Sequence, residues 1–263
     1  MPTTSVTADD FVNIYKQATN WTDAVSADTG TAVGSPVSVG VYFLYTPINY
    51  YINYRTFGAF DLSGLSGTVT SLQLELTKHG NSNNTGLSYF VVRGSDNKSA
   101  SSGNAAGIPF TTDHYLSGVA GFDGDDYPYE AAGFTDGAGD GSFAIWSAEQ
   151  SQPTSVADDA QFTIDLNSTA VTYANTIIGT STKFFVAIIN EHDIDNTYGS
   201  ATLTSTLATQ GTFVYDETDS TAANRPKLKV TTSATAAPPP PKMFTKVNGG
   251  SLKIDGGKVK IGE

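Results

Sequence analysis

The most chemically suggestive residues fall in one short run, Glu191-His192-Asp193-Ile194-Asp195. A histidine flanked by carboxylates can ligate a metal or act as a general base. The plainer reading is the polar end of a buried strand turning into a loop. The run directly follows the most apolar stretch of the chain, Phe184 to Ile189, and that favours the plainer reading. A second concentration of acids spans residues 99–182, which hold 11 Asp and Glu and no Lys or Arg. Asp123, Asp125 and Asp126, then Asp136 and Asp140, sit there in glycine-rich, loop-like sequence. Calcium takes ~6–8 oxygens from such loops. Neither stretch has EF-hand spacing, so these five are weak calcium candidates, and a solvated loop with Asx-turns is the plainer reading. No other cofactor is expected.

Other chemistries lack their residues. The chain has no cysteine, which removes thiolate metal sites, thiol nucleophiles and disulfides. Its 3 histidines include the isolated His79 and His114, and none forms an H-x-H or H-E-x-x-H pattern. No G-x-S-x-G elbow or phosphate-binding glycine loop occurs. With 26 acidic residues, a carboxylate pair somewhere is uninformative. No catalytic residue is assigned, and the expectation is a non-enzymatic protein. Aromatic residues offer another use. Tyr42, Phe43, Tyr45, Tyr50, Tyr51 and Tyr54 cluster, while Trp21 and Trp146 stand apart. Surface tyrosines suit contact with a glycan or a protein. The same rings also suit a wide β-core.

These residues must be positioned by strands. Only 15% of residues are charged, against the usual ~25%. Gly, Ser, Thr, Asn and Asp take their place, a composition of short strands and turns. Val69 to Thr77 alternates, with Leu72, Leu74 and Leu76 on one face and Gln73, Glu75 and Thr77 on the other, as in a half-buried strand. Ser88 to Arg93, Thr212 to Tyr215 and Lys227 to Thr231 read as further strands. Lys183 to Asn190 reads as one buried on both faces. Residues 42–60 are rich in Tyr and Phe, with Pro47 as an interruption. The single helix expected is short, Val171 to Ile178, capped by Asn167 or Ser168. The fold class expected is all-β, an antiparallel, jelly-roll-like β-sandwich over residues 1–235.

Pro238 to Pro241 mark a proline-rich linker at 236–241, and the charge reverses there. Up to Pro241 the chain holds 9 Lys and Arg against 24 Asp and Glu, a net −15. The tail, 242–263, has five lysines against Asp255 and Glu263, a net +3. It reads as a small β-meander with turns at Asn248-Gly249-Gly250 and Gly256-Gly257. Leu252, Ile254, Val259 and Ile261 alternate with Lys253, Lys258 and Lys260. Three strands of this length are marginal alone. The expected docking residues are therefore Phe244, Leu252, Ile254, Val259 and Ile261, with Lys246, Lys253, Lys258 and Lys260.

Several segments resemble the DNRLRE-type β-sandwich, a jelly-roll-like domain of extracellular proteins. Ala8-Asp9-Asp10-Phe11-Val12 resembles its opening strand. Arg55-Thr56-Phe57-Gly58-Ala59-Phe60-Asp61-Leu62-Ser63-Gly64-Leu65 is similar to its "R-x-L-x-x-F-D-L-S-x-L" segment. Thr68 to Leu76, Phe162 to Leu166 and Asn224-Arg225-Pro226-Lys227-Leu228-Lys229-Val230 resemble later strands. The resemblance implies the fold and carries no catalytic set. Physically, Asp61 should accept backbone hydrogen bonds in the turn before Ser63-Gly64, and Arg225 should be held extended by Pro226. The tail loosely resembles the short Lys/Gly/Val "K-V-N-G" endings of phage virion proteins.

A net charge of −12 argues against nucleic-acid binding by charge, and no run of ~18 apolar residues suggests a membrane span. The N-terminus has no basic segment followed by an apolar one, so no signal peptide is expected. The functional expectation is a virion structural protein displayed on a tailed-phage particle, as a capsid decoration, head fibre or tail-associated protein. Its partners would be other virion proteins, further copies of itself and possible host surface glycans. The alternative is a secreted carbohydrate-binding or adhesion module.

Overall fold

The computed structural model describes residues 1–27, 29–34, 37–45, 50–82, 88–95, 107–115, 119, 144–191, 193, 210–233, 244–247, 250–255 and 258–261. The chain divides into two compact units, Met1–Ser233 and Ala234–Glu263. The proline-rich linker lies outside the described residues.

The first unit is an antiparallel sheet of 11 strands. They are β1 (Thr3–Ala18), β2 (Ala32–Gly34), β3 (Val37–Tyr45), β4 (Tyr50–Phe60), β5 (Thr68–Ser82), β6 (Ser88–Arg93), β7 (Gln150–Ser151), β8 (Gln161–Leu166), β9 (Phe184–Asn190), β10 (Gln210–Val214) and β11 (Lys227–Ser233). The order β1-β11-β5-β10-β3-β4 returns to β1 and nearly closes the sheet on itself. Two long strands make the closure. Thr3 to Thr7 of β1 pair with β11, and Ala8 to Ala18 pair with β4, with a register shift between Ala8 and Asp10. Likewise Thr68 to Glu75 of β5 pair with β11, while Lys78 to Ser82 pair with β10. A bulge bends a strand and raises its twist, so one strand can leave one layer and enter the other.

Two cores lie on opposite faces of β4, β6 and β9. Phe184, Val186 and Ile188 of β9 pack with Phe11, Phe60, Leu72, Leu74, Leu76 and Trp146. Their neighbours Phe185, Ala187 and Ile189 pack with Ile14, Phe57, Val92, Phe110 and Tyr115. The unbroken apolar run of β9 is thus one strand serving two cores, as the sequence suggested. Gly58 permits the close approach of β1 and β9: a Cβ there would lie 2.8 Å from the Phe11 ring and 3.0 Å from Val186.

Strand β5 departs from a half-buried strand. Leu72, Leu74 and Leu76 face the core as expected, but Glu75 and Thr77 are also buried. Lys227 and Lys229 of β11 both form ion pairs with the Glu75 carboxylate and help cover it.

Helix α1 (Trp21–Val25) was not anticipated; α2 (Ser168–Ile177) was. Asn167 caps α2, its side chain accepting the Thr169 and Ala170 N–H groups at 3.0 and 3.2 Å. Ala170, Ala174 and Ile177 form its buried stripe. Asn175 fastens it to β5, exchanging hydrogen bonds with both backbone groups of Val69.

The second unit contains β12 (Phe244–Val247), β13 (Gly250–Asp255) and β14 (Lys258–Ile261), paired antiparallel in that order. Its boundaries follow the expected meander closely.

Candidate functional site

In the tail, the registers bring like positions together. Leu252 lies opposite Ile261 and Ile254 opposite Val259, while Lys253 lies opposite Lys260 and Asp255 opposite Lys258. On the other edge Phe244 lies opposite Lys253, and Lys246 opposite Ser251. By strand alternation Phe244 therefore shares a face with the lysine positions rather than with Leu252 and Ile261.

The acid–histidine run resolves into structural roles where it is described. Asp193 takes Arg55 as a two-pronged partner, with Nε–Oδ2 and Nη2–Oδ1 both 2.7 Å and both side chains fully buried. The Arg55 guanidinium also donates to the carbonyls of Tyr115 and Val25 and lies 4.5 Å over the Tyr115 ring. Around it runs a relay of buried groups. Asn190 donates to Asn53 at 2.7 Å, Asn53 to the Tyr115 hydroxyl at 2.9 Å, and that hydroxyl to the Ala24 carbonyl at 2.7 Å. Burial pushes the Tyr115 hydroxyl well above its usual range. The cluster ties α1 and the segment around Tyr115 to the sheet. Glu191 turns to the Ser88 hydroxyl and N–H. His192 and Asp195 lie outside the described residues.

Asp123, Asp125, Asp126, Asp136 and Asp140 also lie outside the described residues. Among the described residues no group of three or more His, Asp or Glu is arranged to hold a metal ion. His114 is buried: Nδ1 accepts the Thr111 N–H at 2.9 Å, which leaves Nε2 to donate to the Gly107 carbonyl at 3.1 Å. His79 stacks on Tyr215, with ring centroids 4.5 Å apart.

One carboxyl belongs to β1 and a second accepts from its backbone. Asp10 is only 5% exposed and accepts the Phe110 N–H at 2.5 Å. Burial pushes its carboxyl up, against the opposing pull of that N–H and of His114. Glu217 accepts the Phe11 N–H at 2.9 Å, and burial again pushes it up, helped by the neighbouring charge of Asp10. Asp61 behaves as the sequence suggested: it accepts the Ser63 N–H at 2.8 Å, and hydrogen bonds from Ser63 hold its carboxyl below the ordinary range. Arg225 donates from Nε to the Asp219 carbonyl.

The aromatic residues divide. Trp146 is fully buried and stacks on Phe184 at 4.7 Å. Tyr54 is half-buried against Tyr15 at 5.2 Å, and burial pushes its hydroxyl up to about 12. The side chains of Trp21, Tyr42, Phe43, Tyr45 and Tyr50 lie outside the described residues.

A feature the sequence reading missed is an open groove of about 410 Å³ between α2 and the end of β6, whose lining includes Arg93, Trp146, Ser168, Thr172, Tyr173 and Thr176. At its floor Tyr173 packs against Trp146 at 5.5 Å and Phe184 at 6.0 Å. The Arg93 guanidinium lies 4.3 Å over the Tyr173 ring. The signal was present in sequence: Ser168, Thr172 and Thr176 recur every fourth residue, which puts three hydroxyls on one helix face.

No protein-family model matches the chain, and no curated protein shows significant sequence similarity to it.

Proposed function

We propose that this chain is a non-enzymatic structural protein of an assembled particle, a tailed-phage virion, with the β-rich body displayed and residues 242–263 attaching it. The observation that carries this reading is the tail's register. Leu252 with Ile261, and Ile254 with Val259, give a three-stranded sheet one apolar stripe. So small a sheet cannot bury such a stripe within itself, so a partner surface is needed to cover it. The likeness of the tail to phage virion endings supports a particle as that partner. The charge reversal, from −15 to +3, supports an acidic docking surface for the tail.

The test is incorporation. Particles assembled with the chain truncated after Ala237 should lack the protein. Incorporation of the truncated chain at wild-type levels would show that the body itself makes the attachment.

A further inference from the structure

We infer that Asp10 and Glu217 act together as an acid-tightened latch, fastening the segment 107–115 and the turn after β10 to β1. These three parts are distant in sequence and meet where the register of β1 shifts, between Ala8 and Asp10. There Asp10 is turned inward, at 5% exposure, while Asp9 stays at the surface, paired with Lys183. Asp10 Oδ2 accepts the Phe110 N–H at 2.5 Å. Glu217 Oε2 accepts the Phe11 N–H at 2.9 Å, and the same N–H acts on the Asp10 carboxyl. Two carboxyls from different parts of the chain thus converge on one backbone donor.

A carboxyl has two oxygens, so each of these can take up a proton and still accept its backbone N–H. Uptake removes the repulsion between the two charges and leaves the hydrogen bonds in place. Burial favours the uncharged form of both groups. The charged neighbours do not neutralise the pair. Asp9 and Asp216 add negative charge, and Lys183 is held by Asp9. His114 pulls Asp10 the other way. Its Nδ1 already accepts the Thr111 N–H, however, so a proton placed there breaks a hydrogen bond within the segment. With both carboxyls ionised the latch loosens. What it releases is the segment that carries Phe110, packed against Phe57 and Phe185, and Tyr115, which lies under the Arg55 guanidinium. Because both folded-state values are raised, the latch contributes fully below the ordinary values of 3.8 and 4.5 and is lost as pH rises through the folded ones. The inference does not depend on how the tail is used.

Hydrogen exchange of the full chain, followed by mass spectrometry of peptides covering 107–115, reads the latch. Exchange is corrected for the intrinsic effect of pH. Protection in the wild type is then divided by that in the Asp10→Asn, Glu217→Gln double variant, so that His114 and the remaining acids cancel. The two amides keep the acceptors without the charge. The expected result is a ratio that falls as pH rises from 4 to 7, by up to about tenfold per pH unit for each proton released. Near pH 7 either single variant should recover most of the protection of the double variant, since removing one charge relieves the same repulsion. Glu217 donates nothing to the Phe110 contact, yet Glu217→Gln should by itself raise the protection of 107–115 near pH 7, which tests the latch even if Asp10→Asn misfolds. The inference is overturned if the ratio is flat or rises with pH, if the two single variants have additive effects at pH 7, or if Glu217→Gln leaves the protection of 107–115 unchanged there.

Discussion

Arg55 and Asp193 stand 138 residues apart in sequence and meet as a two-pronged ion pair that neither shares with solvent. Arg55 comes from the middle of β4, and Asp193 follows the end of β9, the strand paired with β4. A buried pair of this kind gives little net stability over an apolar replacement, because both charges lose their hydration. Breaking one half is another matter. It strands a buried charge, and in this protein also affects the carbonyls of Tyr115 and Val25.

Asp193→Ala should therefore destabilise the body by about 3–5 kcal/mol. Arg55→Lys should also destabilise it, because an ammonium cannot reproduce the forked geometry or lie flat over Tyr115. Urea denaturation followed by tryptophan fluorescence checks both. A loss under about 1 kcal/mol, the level of an exposed pair, would mean that water reaches the cluster.

The carboxyls at β1 give a pH signature. Burial raises Asp10 above its ordinary value of 3.8. The folded state then binds protons more tightly than the unfolded chain. The stability from this group is fully present below 3.8 and is lost as pH rises through the folded value. Asp10→Asn keeps an oxygen for the Phe110 N–H and removes the titration. The stability of the wild type minus that of Asp10→Asn should accordingly fall as pH rises from below 3.8 toward neutrality. Asp61 carries the opposite sign. Ser63 lowers its carboxyl, so its contribution is present above 3.8 and lost as pH falls through the folded value. The corresponding difference for Asp61→Asn should rise with pH, weakly because Asp61 is exposed. Denaturation midpoints from pH 3 to 7 distinguish the slopes; a flat profile for Asp10→Asn would remove the burial argument.

The cap of α2 offers a local test. Asn167 accepts two helix N–H groups and donates to the Ile145 carbonyl at 2.8 Å. Asn167→Ala should cost about 1–2 kcal/mol. Asn167→Asp keeps the acceptors and loses the donor, and should fall between the alanine variant and the wild type. Equal stability for all three would place the support of α2 in its buried stripe and in Asn175 rather than in the cap.

The strands were legible where apolar residues keep a strict period. Leu72, Leu74 and Leu76 announced β5, and Phe184 to Ile189 announced β9 as buried on both faces. Asn167 before a helical stripe announced α2. What escaped was pairing at long range. Arg55 lay inside the Arg55 to Leu65 segment and Asp193 inside the acid–histidine run, yet nothing local links them. Pairing of β4 with β9 brings Arg55 to Asp193 and makes Asp193, read in sequence as one of the carboxylates flanking a histidine, a buried counter-ion. The burial of Glu75 escaped for the same reason, since β11 brings its lysines from 152 and 154 residues away. The groove was missed because hydroxyl stripes on helices are common, and its meaning depends on Arg93 arriving from β6.

The last prediction separates the two faces of the tail. If docking buries Leu252, Ile254, Val259 and Ile261, each is worth roughly 1.5–3 kcal/mol before ordering costs. Ile254→Asp should then abolish attachment to the particle chiefly by speeding dissociation. The lysines act at longer range. Lys253 and Lys260 lie opposite each other across β13 and β14, so a Lys253→Glu, Lys260→Glu variant reverses the charge of that face. It should slow association and remove most of its salt dependence, while a complex once formed should dissociate only modestly faster. Because the tail and Met1–Ser233 are separate compact units, neither variant should change the melting temperature of the body. Binding kinetics on immobilised particles at several salt concentrations provide the readout. Equal effects of both variants on association would mean that charge alone attaches the protein and that the apolar stripe is not buried on docking.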